Sequence, residues 1–242
     1  MSYKKILLTG ASGKLGKIIS SKISAEKLLK PGRDELDITD KESVINFFEK
    51  NEIDAIIHCA AFTNMKECED NPSKAITTNL IGTSYLVAEA LKAENIRFIY
   101  ISTDYVYPCI EGPYKEKDPT IPFTVYGWSK LGGECSVRNL KNHCIIRTSF
   151  FDPNNIHFDD SPVDVFCSKI TIQEVANAVI DLLNKDFIGP INVGCERTSL
   201  FEIFRKHKKS IIPTTLEEIS KMSNAKRAKD SSLDITLWKS IS

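Results

Sequence analysis

The run Lys5-Ile-Leu-Leu-Thr9 passes without a break into Gly10-Ala-Ser-Gly13-Lys-Leu-Gly16, and an amphipathic segment follows from Leu15 to Ile23. Few folds accommodate that opening. An apolar strand that ends in glycines and turns directly into a helix is the first unit of a βαβ crossover, which supplies its strand with a parallel neighbour. The spacing G-x-x-G-x-x-G lets Gly10 and Gly13 bring backbone close to a pyrophosphate, while Gly16 lets helix and strand close up. The helix N-terminus attracts the phosphate. The same spacing also occurs as a plain glycine turn, the less favoured alternative, so the remainder of the chain carries the decision.

The remainder repeats the alternation. Ala25–Lys30 leads through Pro31-Gly32-Arg33 to Leu36-Asp37-Ile38, and Asp40 is placed to cap a helix over 41–50. Asp54 to Cys59 reads as a strand ending in small residues, Ala60-Ala61, with His58 inside it as a core or supporting group. Asn71-Pro72 opens a helix that runs to about Ala93, with Asn79 in its middle facing outward or holding a water near the site. Arg97 to Ser102 is the next apolar strand, Tyr126 begins a helix that reaches about Asn139, and Cys144 to Arg147 is another buried strand. Thr171-Ile-Gln-Glu174 is a capping box for a helix to Asn184; Ser199/Glu202 and Thr215/Glu218 are two more. Ile191 to Val193 is a short strand. Strands alternating with helices, with polar residues where strands end, predict a doubly wound, Rossmann-type α/β fold with a mostly parallel sheet. Residues 1–148 form the dinucleotide-binding part, the sheet being completed by 168–193. Residues 149–167 and 194–242 form a small substrate-binding region. Residues 151–167, with Pro153, Pro162 and four aspartates, read as a loop. Lys221 to Lys229 is basic and polar, and Leu233, Ile235, Leu237 and Trp238 close the chain with an apolar patch.

The chemistry concentrates in one stretch. The strand at Arg97–Ser102 releases Ser102, Thr103 and Asp104 at its end, and a Pro- and Gly-rich loop leads to Tyr126-Gly-Trp-Ser-Lys130. Tyr and Lys four apart share a helical face, with about 5–6 Å between Cβ atoms. A close positive charge favours the phenolate, so the pair makes a proton donor and acceptor usable near neutral pH. Thr103 can share a substrate carbonyl oxygen with Tyr126. Arg33, at the end of the second strand and read as having no acidic residue beside it, can meet an adenosine 2′-phosphate.

Composition narrows the function. Lys plus Arg and Asp plus Glu are each 32, giving a formal net charge of zero, so nothing argues for nucleic acid or an acidic membrane as partner. The cysteines at 59, 68, 109, 135, 144, 167 and 195 form no Cys-x-x-Cys pair, which excludes a spaced metal site and a disulfide framework. The N-terminal apolar run is too short for a signal peptide, and no window approaches the ~18 apolar residues of a membrane span. A cytoplasmic, reduced protein without repeats or low-complexity linkers is expected.

The pieces LLTGASGKLG, LDITD, HCAAFTN, NLIGT, FIYISTDYVY, PYKEKDPTIPFTVYGWSKLGGE and IIRTSF, in this order, resemble an extended short-chain dehydrogenase/reductase, and most closely the dTDP-4-dehydrorhamnose reductase family. The resemblance is nearly continuous over residues 4–150 and patchy beyond. It implies a nicotinamide cofactor, NADPH with NADH as the alternative, held along Gly10, Ser12, Gly13, Lys14, Leu15 and Gly16. Arg33, Asp37 and Ile38 would hold its adenosine end, and Cys59, Ala60, Ala61, Thr63 and Asn79 would line it, with Tyr126 and Lys130. Thr103, Tyr126 and Lys130 would be catalytic, Lys130 lowering the phenol's pKa. Thr103, Asp104, Tyr105 and Phe150 would meet a nucleotide-linked 4-keto-6-deoxy sugar. The chain departs from the family at Phe150, where a Trp is usual, at Lys66, where an acid is common, and in the compressed 151–167. In relatives that also epimerise, a cysteine stands where this chain has Tyr105, and Cys109 lies four residues past it. A different reading is a non-catalytic NADP-binding regulatory subunit, similar to the methionine adenosyltransferase beta subunit. A homodimer or a partner subunit fits either reading.

Overall fold

A computed structural model of the chain describes residues 3–93, 95–221 and 226–241. The first unit forms as its sequence requires: strand β1 (Ile6–Thr9), a glycine turn, and helix α1 (Lys14–Lys22). Strand β2 (Leu28–Leu29), helix α2 (Lys41–Lys50) and strand β3 (Ala55–His58) follow. Asp40 caps α2, its carboxylate accepting from Glu42 N at 3.0 Å. After β3 comes a short helix not foreseen in the sequence, α3 (Met65–Asp70), capped by Asn64.

The single helix expected over 72–93 is three segments in one continuous rod. These are α4 (Pro72–Ala75), a wider π-helical turn (Ile76–Ile81) and α5 (Gly82–Ala90). Widened turns of this kind are rare and frequently stand at functional sites. Strand β4 (Arg97–Ile101), helix α6 (Val125–Val137) and strand β5 (His143–Thr148) complete the part of the chain with the clearest periodicity.

These strands, with β10 (Gly189–Val193), form one sheet in the order β10-β5-β4-β3-β1-β2. Every neighbouring pair is parallel. Both faces are buried, and alternate residues divide between them. Ile6, Leu8, Ile57, Ile99 and Ile146 pack with α1 residues Leu15 and Ile19 and with Val175, Val179 and Leu182 of helix α7 (Ile172–Asn184). Leu7, Ile56, Phe98, Tyr100 and Ile145 pack on the other side with Val44, Leu86, Val87 and Val137. The strand order reverses direction between β1 and β3, and in doubly wound sheets that reversal opens a crevice at the strands' carboxyl ends.

The segment 151–167, expected to be a loop, is pinned by three short ladders. Strand β6 (Phe150–Phe151) pairs with β9 (Ile170–Thr171). Strand β7 (Asp160–Pro162) pairs with β12 (Ile212–Thr214), and β8 (Phe166–Cys167) pairs antiparallel with β11 (Thr198–Ser199). Helix α8 (Leu200–His207) starts from the expected capping box at Ser199 and Glu202, and places Phe204 against Phe151 and Phe158 at ring-centroid distances of 5.1 and 4.7 Å. Helix α9 (Leu216–Lys221) follows, with Glu218 accepting from Thr215 N at 2.8 Å. Residues 222–225 of the basic tail lie outside the described residues. The closing apolar residues are not a surface patch. Leu233 and Ile235 are buried against Val106, Tyr107 and Tyr114, and Trp238 of helix α10 (Thr236–Ile241) packs against the same cluster. Among the described residues, no helix is long and apolar enough to cross a membrane.

Candidate active site

The glycine turn is fixed by two close approaches. Gly10 has φ of +70°, and a Cβ there would stand 2.6 Å from Ala60 N. A Cβ on Gly16 would stand 2.2 Å from Gly10 O, so only glycine lets α1 press against the strand's end. Gly13 differs: its nearest contact would be Gly10 O at 3.2 Å, which leaves its outer side free for a bound group. No side chain caps α1 at Gly13, so the helix's first N–H groups face the crevice with the positive end of the helix dipole.

Around that turn lies a cavity of about 320 Å³. It gathers Gly10, Ser12, Gly13, Arg33, Asp37, Ile38, Cys59, Ala60 and Ala61 from the sequence-predicted set, and adds Thr39 and Thr78. A second cavity of about 490 Å³ shares Cys59 and Ala61 with the first and extends over the ends of β3, β4 and β5. It gathers Leu15, Thr63, Thr103, Asp104, Tyr105, Tyr126, Lys130 and Phe150. The two cavities adjoin at Cys59 and Ala61: a glycine turn lines one, and a hydroxyl, a phenol and an ammonium line the other.

Three predicted residues line neither cavity. Gly16 acts through packing, as the sequence argued, and Lys14 is exposed. Asn79 neither faces outward nor stands free to hold a water. It is 1% exposed; its Oδ1 accepts from Phe62 N at 2.7 Å, and its Nδ2 donates to Phe62 O at 2.9 Å and to Ser129 Oγ at 2.9 Å. The π-helical turn thus points one amide at the loop after β3 and at α6 together, holding Ala60 and Ala61 against the cleft. His58 is a supporting group: it is buried, bonds Thr9 Oγ1 at 2.6 Å and Thr83 Oγ1 at 2.9 Å, and burial pushes its pKa down to about 3.

Arg33 requires a correction. An acidic residue does stand beside it: its Nε donates to Asp37 Oδ2 at 3.0 Å, because the turn through Gly32 brings position 37 back alongside. The Arg33 side chain remains 79% exposed at the cleft's rim, where it can swing from Asp37 to an incoming phosphate.

At the other end, Thr103 Oγ1 accepts from Tyr105 N at 3.2 Å and donates to Asp104 Oδ1 at 3.0 Å, and it lines the same cavity as the Tyr126 phenol. Asp104 is buried and also accepts from Ser231 Oγ at 2.7 Å, so it ties the catalytic loop to the C-terminal segment. The expected lowering of the phenol by Lys130 is not the state of this site. Burial and the Asp104 carboxylate push Tyr126 up. Tyr126 is therefore held protonated. Burial instead pushes the Lys130 ammonium down to about 7, against the favourable charge of Glu134. The ammonium sits over the Tyr100 ring, 4.0 Å from its centroid.

Lys130 has a consequence for stability. A lysine whose folded pKa lies below its unfolded value of about 10.4 binds fewer protons when folded, so stability rises with pH between about 7 and 10. Lys130→Met removes that dependence. Relative to the variant, the wild type is expected to gain on the order of 4 kcal/mol from pH 6 to pH 10. Paired urea titrations check this, and parallel pH profiles for the two proteins would refute it.

Beneath the trio lies a buried ion pair. Glu134, fully buried on α6, accepts from Arg147 Nη2 at 2.7 Å and Nε at 3.0 Å, and from Ser102 Oγ at 2.5 Å. Arg147 donates further to Tyr107 at 2.8 Å and to Glu116 O at 3.1 Å, linking the ends of β4 and β5, α6 and the loop after β4.

The geometry accommodates a dinucleotide. Gly13 leaves room at the turn, α1 offers uncapped donors, and Thr148, 2% exposed in the catalytic cavity, has a hydroxyl that finds no partner among the described residues. A buried hydroxyl left unbonded is costly, and a polar ligand in the cleft satisfies it. Sequence reasoning missed the far wall: Met65, Val165, Cys167, Lys169, Leu200, Phe204, Ala228 and Ser231. The cysteine at 109 does not serve as an acid/base in this cleft: it is 2% exposed, its thiol donates to the carbonyls of Tyr107 and Asp104, and burial pushes it up.

The sequence profile described as the RmlD substrate binding domain matches residues 4–157. The dTDP-4-dehydrorhamnose reductase of Mycolicibacterium smegmatis is 34% identical over 152 residues, 61% of this chain and 46% of that protein. The chain spans about half the length of the curated relatives it matches first. The structural likeness runs further. A hypothetical dTDP-4-dehydrorhamnose reductase from Sulfolobus tokodaii superposes with a TM-score of 0.88 at 30% identity, covering 98% of this chain and 94% of that one. The Bacillus anthracis dTDP-4-dehydrorhamnose reductase, in complex with NADP, shares the fold with a TM-score of 0.87 at 24% identity, covering 98% and 92%.

Proposed function

Because the chain belongs to the family of the RmlD substrate binding domain, we propose that it is an NADPH-dependent reductase of the 4-keto group of a nucleotide-linked 4-keto-6-deoxy sugar. The observation that carries this reading is the pair of adjoining cavities, sharing Cys59 and Ala61, in which a glycine turn suited to pyrophosphate lines one and Thr103, Tyr126 and Lys130 line the other.

The bound cofactor supplies a hydride to the ketone carbon. The chain's own residues do the rest. Gly10, Gly13 and the first turn of α1 bind the pyrophosphate, and Arg33 takes the 2′-phosphate in exchange for Asp37. Thr103 turns its hydroxyl from Asp104 to the ketone oxygen and steadies the charge that develops there. Tyr126, held protonated, delivers its proton to the nascent alkoxide. Lys130 orients the nicotinamide ribose and, with a nearby anion to favour its charged form, compensates the phenolate left behind. That Thr103, Tyr126 and Lys130 line one cavity supports a working enzyme over a regulatory subunit. Oxidation of NADPH in one-to-one proportion with a dTDP-4-keto-6-deoxy sugar tests the proposal, and tight NADPH binding without consumption would support the regulatory reading instead.

The rim contact makes a second expectation. Arg33→Ala should weaken NADPH by about 10- to 100-fold, as loss of a charge-assisted phosphate contact does, and leave NADH nearly unchanged. Fluorescence titration of both cofactors measures it, and equal losses for the two would remove Arg33 from this role.

A further inference from the structure

Three charged side chains line the catalytic cavity among the described residues: Asp104, Lys130 and Lys169. Two have work assigned by their contacts. Asp104 is buried and bonded to the hydroxyls of Thr103 and Ser231. Lys130 sits over the Tyr100 ring, beside the reacting groups. Lys169, half-buried between β8 and β9, has no carboxylate within 4.0 Å among the described residues, and its side chain donates no hydrogen bond there; its charge acts on the Asp104 carboxylate and the Cys167 thiol only from a distance.

Its backbone, in contrast, is held on all sides. The β8 strand before it pairs with β11, and the β9 strand after it pairs with β6. The Cys195 thiol donates to Lys169 O at 3.3 Å, and Cys195 N donates to Ser168 O at 3.0 Å. A fixed base carrying an uncommitted ammonium is a preorganised cation. A cation on a fixed base binds an arriving anion with less ordering cost than one on a mobile chain. Asp104 does not serve as that anion, since it stands beyond ion-pair distance with its oxygens occupied by hydroxyls. The same cavity is lined by the apolar side chains of Val165, Leu200 and Phe204, which offer the ammonium no partner.

We propose that Lys169 is the anion anchor of the substrate side, binding a phosphoryl group of the substrate and thereby setting the sugar's ketone against Thr103 and Tyr126. The inference rests on the reductase reading and deepens it: the chamber selects a phosphorylated sugar over the free sugar, through one cation. Lys169 is a specificity and positioning residue; it moves no proton.

The test is calorimetric titration of dTDP-glucose, a non-reacting phosphorylated probe, into the NADPH complex of the wild type, Lys169→Met and Lys169→Arg. Met keeps the length of the stem and loses the charge. The expected result is a loss of about 10- to 100-fold for Lys169→Met, a loss of no more than a few-fold for Lys169→Arg, and an unchanged NADPH constant in all three. Equal dTDP-glucose binding by Lys169→Met and the wild type overturns the proposal. So does a parallel loss of NADPH affinity, which would make Lys169 a cofactor or folding residue, and so does a wild-type NADPH complex that binds no dTDP-glucose. The reductase reading has its own readout: if these arms fail while NADPH is still consumed by a keto-sugar, only the anchor falls.

Discussion

Tyr126→Phe is expected to lower turnover by about 10²- to 10⁴-fold while leaving the fold and NADPH affinity intact. On the proposed reading the phenol is the proton donor: it lines the cavity beside Thr103, and burial with the Asp104 carboxylate keeps the proton on. Phe preserves the ring and removes only that proton. The substitution leaves the glycine turn and Arg33 untouched, so cofactor binding by fluorescence titration should match the wild type. A Tyr126→Phe protein of normal turnover would mean that the proton comes from elsewhere and that the assigned chemistry is wrong.

The largest effect on stability is expected from the ion pair under the site. Glu134→Gln or Arg147→Met alone leaves one charge buried without its partner, at a cost of about 3–5 kcal/mol. Both residues are almost fully buried, at 0 and 1% exposure, and the Arg147 guanidinium also bonds the Tyr107 hydroxyl and the Glu116 carbonyl. Either single change therefore loosens the loop after β4 as well as the floor beneath Thr103. The double variant removes both charges and should recover a substantial part of the loss, because a buried pair contributes much less net stability than its separation costs. Urea unfolding of the four proteins gives the coupling energy directly. Single variants costing under about 1 kcal/mol would show that solvent reaches this pair.

How much of this could be read from the chain depended on element length. Strands β1, β3, β4 and β5 were legible because each carries an apolar run, as both faces of a parallel sheet require, and each ends in small or polar residues, whereas the two-residue β2 was only weakly written. The trio was legible because Thr103 ends such a strand and Tyr126 and Lys130 share one face of a capped helix. Asn79 was misread because its polar side chain is unhelpful in an ordinary helix; the π-helical turn that aims it inward leaves no periodic trace. Asp37 escaped as the partner of Arg33 because only the turn through Gly32 makes them neighbours. The far wall was out of reach for a plainer reason. Strands β6, β8, β9 and β11 are two residues long, too short for any alternation, and their partners stand as far away as the ladder between Phe166 and Ser199. The ladder-pinned segment 151–167 also differs from the loop its prolines and aspartates suggested, because pairing with distant strands overrides local composition.

The central claim is that this cleft transfers a hydride from NADPH to a sugar ketone. The most direct measurement supplies NADPH deuterated at nicotinamide C4 with a dTDP-4-keto-6-deoxy sugar and follows the product by NMR. The account predicts deuterium at sugar carbon 4, in proportion to the NADPH oxidised, and its disappearance in Tyr126→Phe. NADPH that binds tightly and is not consumed, or a product carrying no label at that carbon, would contradict it.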